Sequence, residues 1–281
     1  MIEFQAISKT FQRRAVLDDI SLSLGRGNRV ALVGSNGAGK TTLIRCLLGE
    51  YVCQGKVRVD GIDPRQDRRG VLARIGFVPQ LPPPLKIPVG ELINFSASVC
   101  NTDPKRMEHV AEQLGLDMDV IRRQPFVKLS GGQKQKLLIG IALGRDSDIL
   151  VMDEPAANLD PESRKIFFNL LSERLDGTVM LMSSHRIDEV AALVNRVIEL
   201  DRGKVVLDDH VEDTVDPSAL QACTLRLVRA EEALSKSLTS WGFVATGDGL
   251  AWTGTVAGPD RLRFLAMMSR YAGLIAALEL K

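Results

Sequence analysis

The sequence lacks a long apolar run, since nowhere in its 281 residues do about 18 apolar residues follow one another, the length that a membrane-spanning helix needs. The first residues, Met1-Ile-Glu-Phe-Gln, include an acid and no apolar stretch of the signal-peptide type. We therefore expect a chain that does not cross a membrane alone.

Paired cysteines and a strong net charge are missing as well. The cysteines are scattered, with no CxxC pair and no nearby histidine cluster, which argues against a zinc site or a disulfide framework and fits a reducing cytosol. The formal net charge is +1, so no global field recruits nucleic acid or an anionic membrane, and no nucleic-acid partner is expected. A hydrophobic content of 45% predicts a globular protein with a sizeable core.

The sequence does contain a glycine-rich segment of the pattern GxxxxGKT. It follows the apolar run 29–33, which predicts a buried strand, and precedes 42–48, whose spacing predicts a helix. Glycines let the backbone fold around an anion with its N–H groups inward, and the helix start adds the positive end of its dipole. Lys40 is predicted to meet the β- and γ-phosphates of a nucleotide, and Thr41 to offer its hydroxyl to Mg²⁺. The alternative is a glycine-rich turn that binds nothing. The predicted binding residues are Gly34, Ser35, Asn36, Gly37, Ala38, Gly39, Lys40, Thr41 and Thr42.

A second glycine segment, Ser130 to Gln133, precedes an apolar run at 137–143 that predicts a helix. Ser130 is well placed to cap this helix, and Gly131 and Gly132 expose its first backbone amides, which indicates a second anion-receptive helix start. Simple capping would account for Ser130. It does not explain two glycines in the first turn, because each costs about 1 kcal/mol relative to alanine.

Two carboxylates end the apolar run 149–152, which predicts a buried parallel strand. The carboxyl end of such a strand is where open α/β sheets place ligand chemistry. In a phosphate-loop enzyme Asp153 would hold Mg²⁺, directly or through water, and Glu154 would activate the attacking water as general base. The alternative, two solvated carboxylates at a strand end, is disfavoured when the same chain contains a phosphate loop.

Two further polar residues have competing interpretations. Asp160 precedes Pro161, where a helix cap explains it almost as well as a functional role. His185 follows the apolar run 179–182, and a lone histidine at a strand end is more often structural than catalytic.

Taken in order, these segments resemble the nucleotide-binding subunit of an ATP-binding-cassette (ABC) transporter over roughly residues 1 to 210. The most specific element is the family signature, Leu129-Ser-Gly-Gly-Gln133, because many unrelated NTPases share the phosphate loop. The resemblance assigns a glutamine loop to Gln80, a D-loop to 158–160, with Asn158 in place of the usual small residue, and a switch histidine to His185. Phe11 stands where the family stacks an aromatic on adenine, usually Tyr; its position alone fits a loop aromatic at the core edge equally well.

The resemblance implies an ATPase whose cofactors are ATP and Mg²⁺. Two copies would meet head to tail and bury ATP between the phosphate loop of one and the LSGGQ segment of the other. Gln80 would touch Mg²⁺ or the water, and His185 would contact the γ-phosphate beside Glu154. The implied metal contacts are Thr41, Gln80 and Asp153, and the implied nucleotide contacts outside the phosphate loop are Phe11, Ser130, Gly131, Gly132, Gln133 and Asp160.

The implied partners are a second copy of the chain and an integral membrane permease. In this family the helical segment that begins near Leu81 is where the permease docks. A cytoplasmic subunit, peripheral on the inner face of the cell membrane, is therefore expected.

The predicted fold class is α/β, a P-loop NTPase of the ABC ATPase type with a mixed-sheet core, an antiparallel β subdomain and a helical subdomain, followed by a small α+β ferredoxin-like domain. The ATPase domain is expected at 1–210, with its helical subdomain at about 81–145, then a polar linker at 211–222 and an accessory domain at 223–281. The accessory domain shows the order β-α-β-β-α-β, with helices at 231–241 and 260–271.

The leading interpretation is a peripheral ATPase that drives a separate permease, with export favoured by the short helical segment and the appended domain. The alternative is a soluble ABC ATPase of translation or DNA repair, although the two cassettes, long coiled coil or zinc cysteines typical of those proteins are not seen. A phosphate-loop kinase comes third, because it explains neither the LSGGQ segment nor the lack of an evident acceptor site.

Overall fold

A computed structural model describes residues 1–174, 177–185, 190–191, 193–210, 220–247, 249–257, 264–265, 267–268 and 271–280. The chain divides into two compact units, the first formed by Met1–His185 and Ala192–His210 and the second by Arg186–Ala191 and Val211–Lys281.

Two sheets make up the β structure of the first unit. The smaller is antiparallel, with order β2-β1-β4. The larger has order β5-β6-β7-β3-β8-β9 and is parallel except for β9, which pairs antiparallel with β8. The strands are β1 Ile2–Phe11, β2 Arg14–Leu24, β3 Arg29–Val33, β4 Gln54–Val59, β5 Ile75–Val78, β6 Ile149–Asp153, β7 Val179–Ser183, β8 Arg196–Asp201 and β9 Lys204–His210.

The register of the larger sheet decides where the site lies. Ser183 pairs with Asp153 on one side and with Leu32 on the other, so β6, β7 and β3 end at one edge. Because these strands are parallel, the segments that follow them all leave from that edge. The phosphate loop, Glu154 and His185 are thereby gathered at the carboxyl end of the sheet.

The helices of the first unit are α1 Lys40–Leu47, α2 Arg68–Ala73, α3 Val89–Cys100, α4 Pro104–Gln113, α5 Met118–Ile121, α6 Gly131–Leu143 and α7 Pro161–Ser172. One group of buried apolar side chains joins both sheets to α1, and another lies within the helical segment, around Ile93, Met107 and Phe126. Among the described residues, no helix is both long and apolar enough to cross a bilayer.

Two stretches differ from the sequence-based expectation. Within the helical subdomain expected at about 81–145, residues 89–121 form three separate helices, and the first ends because Asn101 adopts a left-handed conformation (φ 52°) and Pro104 opens a new helix. Strand β1 extends to Phe11, whose position in the sequence fits a loop equally well, and irregularities in its pairing shift the alternation of side chains that would mark a strand.

The second unit contains an antiparallel sheet of order β11-β12-β10-β13. Its described elements are β10 Leu220–Leu227, α8 Glu232–Ser240, β11 Val244–Thr246, β12 Ala251–Ala257 and β13 Ile275–Leu280. Trp252 is buried, and Trp241 packs edge-on against Phe264 with ring centroids 5.3 Å apart, as expected for core side chains. The predicted helix 260–271 and linker 211–222 lie largely outside the described residues, so the ferredoxin-like assignment stays a prediction.

Candidate functional site

The phosphate loop connects β3 to α1 and needs glycine at two of its positions. Gly34 has φ +143°, and a Cβ there would collide with the carbonyl oxygen of Leu200. Gly39 has φ +113°, and a Cβ would lie 2.7 Å from Leu17 Cδ2. Both positions combine a left-handed backbone with close neighbours, so any larger residue would displace the loop.

Lys40 opens α1 and turns its ammonium back into the loop. Its side chain is buried, and Nζ donates hydrogen bonds to the carbonyl oxygens of Gly34 at 2.7 Å and Ser35 at 3.2 Å. Burial lowers the pKa of Lys40, while the nearby carboxylates of Glu154 and Asp153 act in the opposite direction. A partly desolvated cation at the start of a helix is a suitable partner for a phosphate anion.

The loop encloses a cavity of about 170 Å³ that brings several predicted residues together. Gln80, which follows β5, and Glu154, which follows β6, form its far side. A neighbouring cavity of about 620 Å³ extends along Ser35 towards Arg14 and Arg202. The first cavity is lined by Val16, Asn36, Gly37, Ala38, Gly39, Lys40, Thr41, Thr42, Gln80 and Glu154.

The three residues expected to contact a metal line a third cavity, of about 380 Å³. Thr41, Gln80 and Asp153 offer a hydroxyl, an amide and a carboxylate, the hard oxygen donors that Mg²⁺ takes together with phosphate oxygens. The residues present therefore fit a nucleotide-bound Mg²⁺. In the part of the chain that the structure describes, no group of three or more His, Cys, Asp and Glu side chains could hold a metal independently.

Glu154 is held in an unusual conformation next to His185. Its φ is +50°, which non-glycine residues seldom adopt, and its Oε1 lies 2.5 Å from Nε2 of His185. His185 is thus in direct contact with the predicted general base. Strained backbone that surrounding contacts maintain is a common property of reactive sites.

Ser183 is a site residue that the sequence did not reveal. Its hydroxyl is buried between the two acids, donating to Asp153 Oδ1 at 2.6 Å and accepting from the Glu154 N–H at 2.9 Å. The available signal was a serine at the end of the apolar strand Val179–Met182, where we expected only the end of the strand.

The signature segment begins α6 as expected. Ser130 is its N-cap, accepting from the Gln133 N–H at 3.2 Å, while the Gln133 side chain accepts from the Ser130 N–H at 3.0 Å. A Cβ on Gly131 would have no neighbour within 4 Å, and one on Gly132 would lie 3.2 Å from the carbonyl oxygen of Asn158. None of the described residues that line the three cavities belongs to this segment.

Asp160 has partners within the chain. It caps α7 by accepting from the Ser163 N–H at 2.9 Å, and Lys136 Nζ of α6 lies 2.9 Å from its Oδ2. The backbone N–H of Ser163 and the ammonium of Lys136 lower the pKa of Asp160. A second tie, also missed in the sequence, joins α6 to this loop: the buried Gln135 donates to the Pro155 carbonyl at 2.9 Å.

Phe11 has an aromatic and a cationic neighbour. Its ring packs edge-on against Tyr51, with centroids 5.3 Å apart, and Lys9 Nζ is 4.7 Å from its centre. Phe11 is not among the described residues that line the cavities. Its predicted stacking on adenine stays a prediction.

Comparison with known proteins gives consistent results. A family model described as ABC transporter matches residues 17–157. A Nod factor export ATP-binding protein I from Paraburkholderia xenovorans is 32% identical, over 79% of this chain and 72% of its own length. A phosphonates import ATP-binding protein from Pseudomonas syringae is 31% identical, over 75% of this chain and 85% of its own. A solved dimer of an ATP-binding cassette, in a post-hydrolysis state with ADP and Pi, shares the fold with a TM-score of 0.68 and 22% identity, covering 75% of this chain and 99% of that chain.

Proposed function

The chain belongs to the ABC transporter family, as an ATP-binding subunit that hydrolyses ATP, and we propose that it drives export through a separate membrane permease by closing on a second copy of itself around ATP. The observation that carries the two-copy arrangement is the position of the signature segment, which begins a helix at the exposed Gly131 yet lines no cavity at the phosphate loop among the described residues.

The chemical steps follow from the contacts around the loop. Lys40 and the loop amides bind the β- and γ-phosphates of ATP, and Thr41, Gln80 and Asp153 would hold Mg²⁺, which supplies charge neutralisation of the phosphates when bound. Glu154 takes the proton from the attacking water. His185, 2.5 Å from Glu154, keeps that carboxylate oriented and reaches the γ-phosphate.

Two glycines in the first turn of α6 support a role for the signature outside its own chain. Gly131 and Gly132 are not among the glycines with positive φ. A Cβ on Gly131 would have no neighbour within 4 Å, so the fold of one chain does not require glycine at 131, whereas a Cβ on Gly132 would lie 3.2 Å from the Asn158 carbonyl oxygen. Exposed amides at a helix start bind anions. In the proposed dimer Ser130, Gly131, Gly132 and Gln133 meet the γ-phosphate held by the other copy, and Asp160 lies at the same interface.

A mixing experiment tests this arrangement. Lys40→Ala removes the phosphate contact of one loop, and Gly131→Asp places a carboxylate where the signature would face phosphate. Each variant alone is expected to be inactive. A 1:1 mixture of the two should recover about a quarter of the parental ATPase rate, because half of the randomly paired dimers are mixed and each mixed dimer holds one intact composite site. Gly131→Ala is the uncharged control; no recovery in the mixture would contradict the two-copy site.

The helical segment offers the surface that we assign to the permease. Leu81 and Phe95 are 75% and 65% exposed, which places them among the most exposed large apolar side chains of the described residues. They lie beyond Gln80, which lines the phosphate-loop cavity, so nucleotide and permease can influence each other through this segment. Purification from membranes should recover the permease, and Phe95→Asp should reduce that recovery without loss of ATP binding, because Phe95 is not among the described residues that line the three cavities. Recovery only with ribosomes or DNA would favour a non-transport ABC ATPase.

The subunit is placed on the cytoplasmic, inner face of the cell membrane, where ATP is available. The short helical segment, with α3 to α6 between 89 and 143, supports export. The relatives named above include one export and one import protein, so direction needs its own measurement. ATP-driven accumulation of cargo in inside-out vesicles is expected, and ATP-driven loss would indicate import.

A further inference from the structure

The hydroxyl of Ser183 touches both acids of the site at once. A serine hydroxyl has one proton to donate and lone pairs to accept with. Here the Ser183 hydroxyl donates a hydrogen bond to Asp153 Oδ1 at 2.6 Å, and its oxygen accepts a hydrogen bond from the Glu154 N–H at 2.9 Å. The side chain of one acid and the backbone of the next are therefore fixed by a single group.

The surroundings leave these groups dependent on that hydroxyl. Ser183 is fully buried, and the remainder of β7, Val179–Met182, is apolar. Asp153 is nearly buried as well. A buried polar group that loses its hydrogen-bond partner keeps the full free-energy cost of its desolvation, since no bulk water replaces the bond.

Glu154 has particular need of such support. Its φ of +50° is sparsely populated for a residue with a side chain, so neighbouring contacts must maintain it. The Ser183 hydroxyl holds its amide, and two residues further along the same segment His185 holds its carboxylate. Both ends of Glu154 are thus anchored by residues 183–185.

We propose that Ser183 is a positioning residue for ATP hydrolysis, which holds the Asp153 carboxylate and the Glu154 backbone in the arrangement required for attack of water on the γ-phosphate. The proposal rests on the roles given to Asp153 and Glu154 under the proposed function. Ser183 would act through these two acids, which it contacts directly.

Steady-state ATPase kinetics of Ser183→Ala and Ser183→Thr test the role. Ser183→Ala should lower kcat about 10- to 100-fold, the range expected when buried hydrogen-bonding groups lose their partner, with KM for ATP changed less than about 3-fold. Ser183→Thr keeps a hydroxyl and should recover most of kcat. Ser172→Ala is the control, because that exposed hydroxyl donates to the Asn169 carbonyl at 2.7 Å at the end of α7 and Ser172 is not among the described residues that line the three cavities.

Two further measurements separate positioning from folding. Rates are normalised to sites titrated with a fluorescent ATP analogue, so that a poorly folded fraction does not count as lost kcat. In a Glu154→Gln background, Ser183→Ala should lower the residual rate less than about 3-fold, because both changes act on the same step.

Parental kcat in Ser183→Ala would overturn the proposal, and so would equal losses of kcat and nucleotide binding in both Ser183 variants. The proposed function is judged separately by Glu154→Gln in the otherwise unchanged chain. If that variant hydrolyses ATP at the parental rate, the role of Glu154 and the inference about Ser183 both fail.

Discussion

Gly34 and Gly37 lie in the same loop with positive φ, yet only Gly34 is surrounded by other atoms. A Cβ on Gly34 would strike the Leu200 carbonyl oxygen, whereas one on Gly37 would have no neighbour within 4 Å. The pair therefore separates backbone strain from steric collision within one loop.

Gly37→Ala should cost about 1–2 kcal/mol of the free energy of unfolding, the penalty for a left-handed residue with a side chain. Gly34→Ala should cost about 3 kcal/mol or more, because collision adds to strain. Urea denaturation without nucleotide measures both. Equal losses would mean that the contact with β8 is not what demands glycine at 34.

Lys40 predicts a pH dependence of stability. Its pKa is lowered below the ordinary 10.5 by burial, so as pH rises the folded state releases this proton before the unfolded state does. The unfolded state then binds more protons, and stability rises with pH. The difference in unfolding free energy between the parent and Lys40→Met should therefore increase in favour of the parent as pH rises from the lowered pKa of Lys40 to 10.5. Urea titrations of both proteins from pH 8 to 10.5 measure this difference; a constant or falling difference would contradict burial as the dominant cause.

The roles of individual residues could be predicted from the sequence only where a local sequence pattern indicates them. The cap at Ser130 was predicted and is confirmed, because a polar residue before a helical apolar run is a local signal. Ser183 was not found, because its role depends on a contact with Asp153, which lies thirty residues earlier in the chain and pairs with it on the neighbouring strand. Register between strands is set by tertiary pairing and has no local signal of that kind.

At the scale of elements, the start of α6 combines two functions in one serine. Ser130 satisfies the Gln133 N–H, and it stands first among the amides proposed to face phosphate. Substitutions that keep the cap but alter charge can separate these functions.

Ser130→Ala should lose about 1 kcal/mol of unfolding free energy by removing the cap, whereas Ser130→Asp and Ser130→Asn should stay within about 0.5 kcal/mol of the parent. The Asp variant should lose ATPase activity far more than the Asn variant, since its carboxylate would repel the γ-phosphate. Denaturation and ATPase assays on the three variants suffice. Equal activity of Asp and Asn would argue against a phosphate facing this helix start.

The architecture of the first unit was largely predictable from strand and helix patterns and from the family resemblance, and the likeness to ATP-binding cassettes confirms it. The ends of the helices and strands were less predictable. Because the pairing of β1 is irregular, the sequence of residues 8–11 resembles that of a loop. The end of α3 at Asn101 depends on one residue in a left-handed conformation. Both features are backbone events that leave hydrophobic periodicity almost unchanged.

At the scale of the whole molecule, one chain has two glycine-rich helix starts, and we assign them to different sites. Lys40 begins α1 within the cavity, and Gly131 begins α6 outside it. Lys136 and Gln135 tie α6 to the loop that follows Glu154, through Asp160 and the Pro155 carbonyl. In the proposed dimer, a nucleotide held by one copy would influence the hydrolytic residues of the copy whose signature it meets.

The solution mass of Glu154→Gln with ATP and Mg²⁺ tests the two-copy site most directly. The substitution removes the base and leaves the phosphate loop intact, so the closed dimer should accumulate. Light scattering after size exclusion should give twice the chain mass with ATP and the single-chain mass without it, and Lys40→Ala added to the same chain should abolish the change. A single-chain mass in saturating ATP, or hydrolysis at the parental rate, would contradict the proposed mechanism.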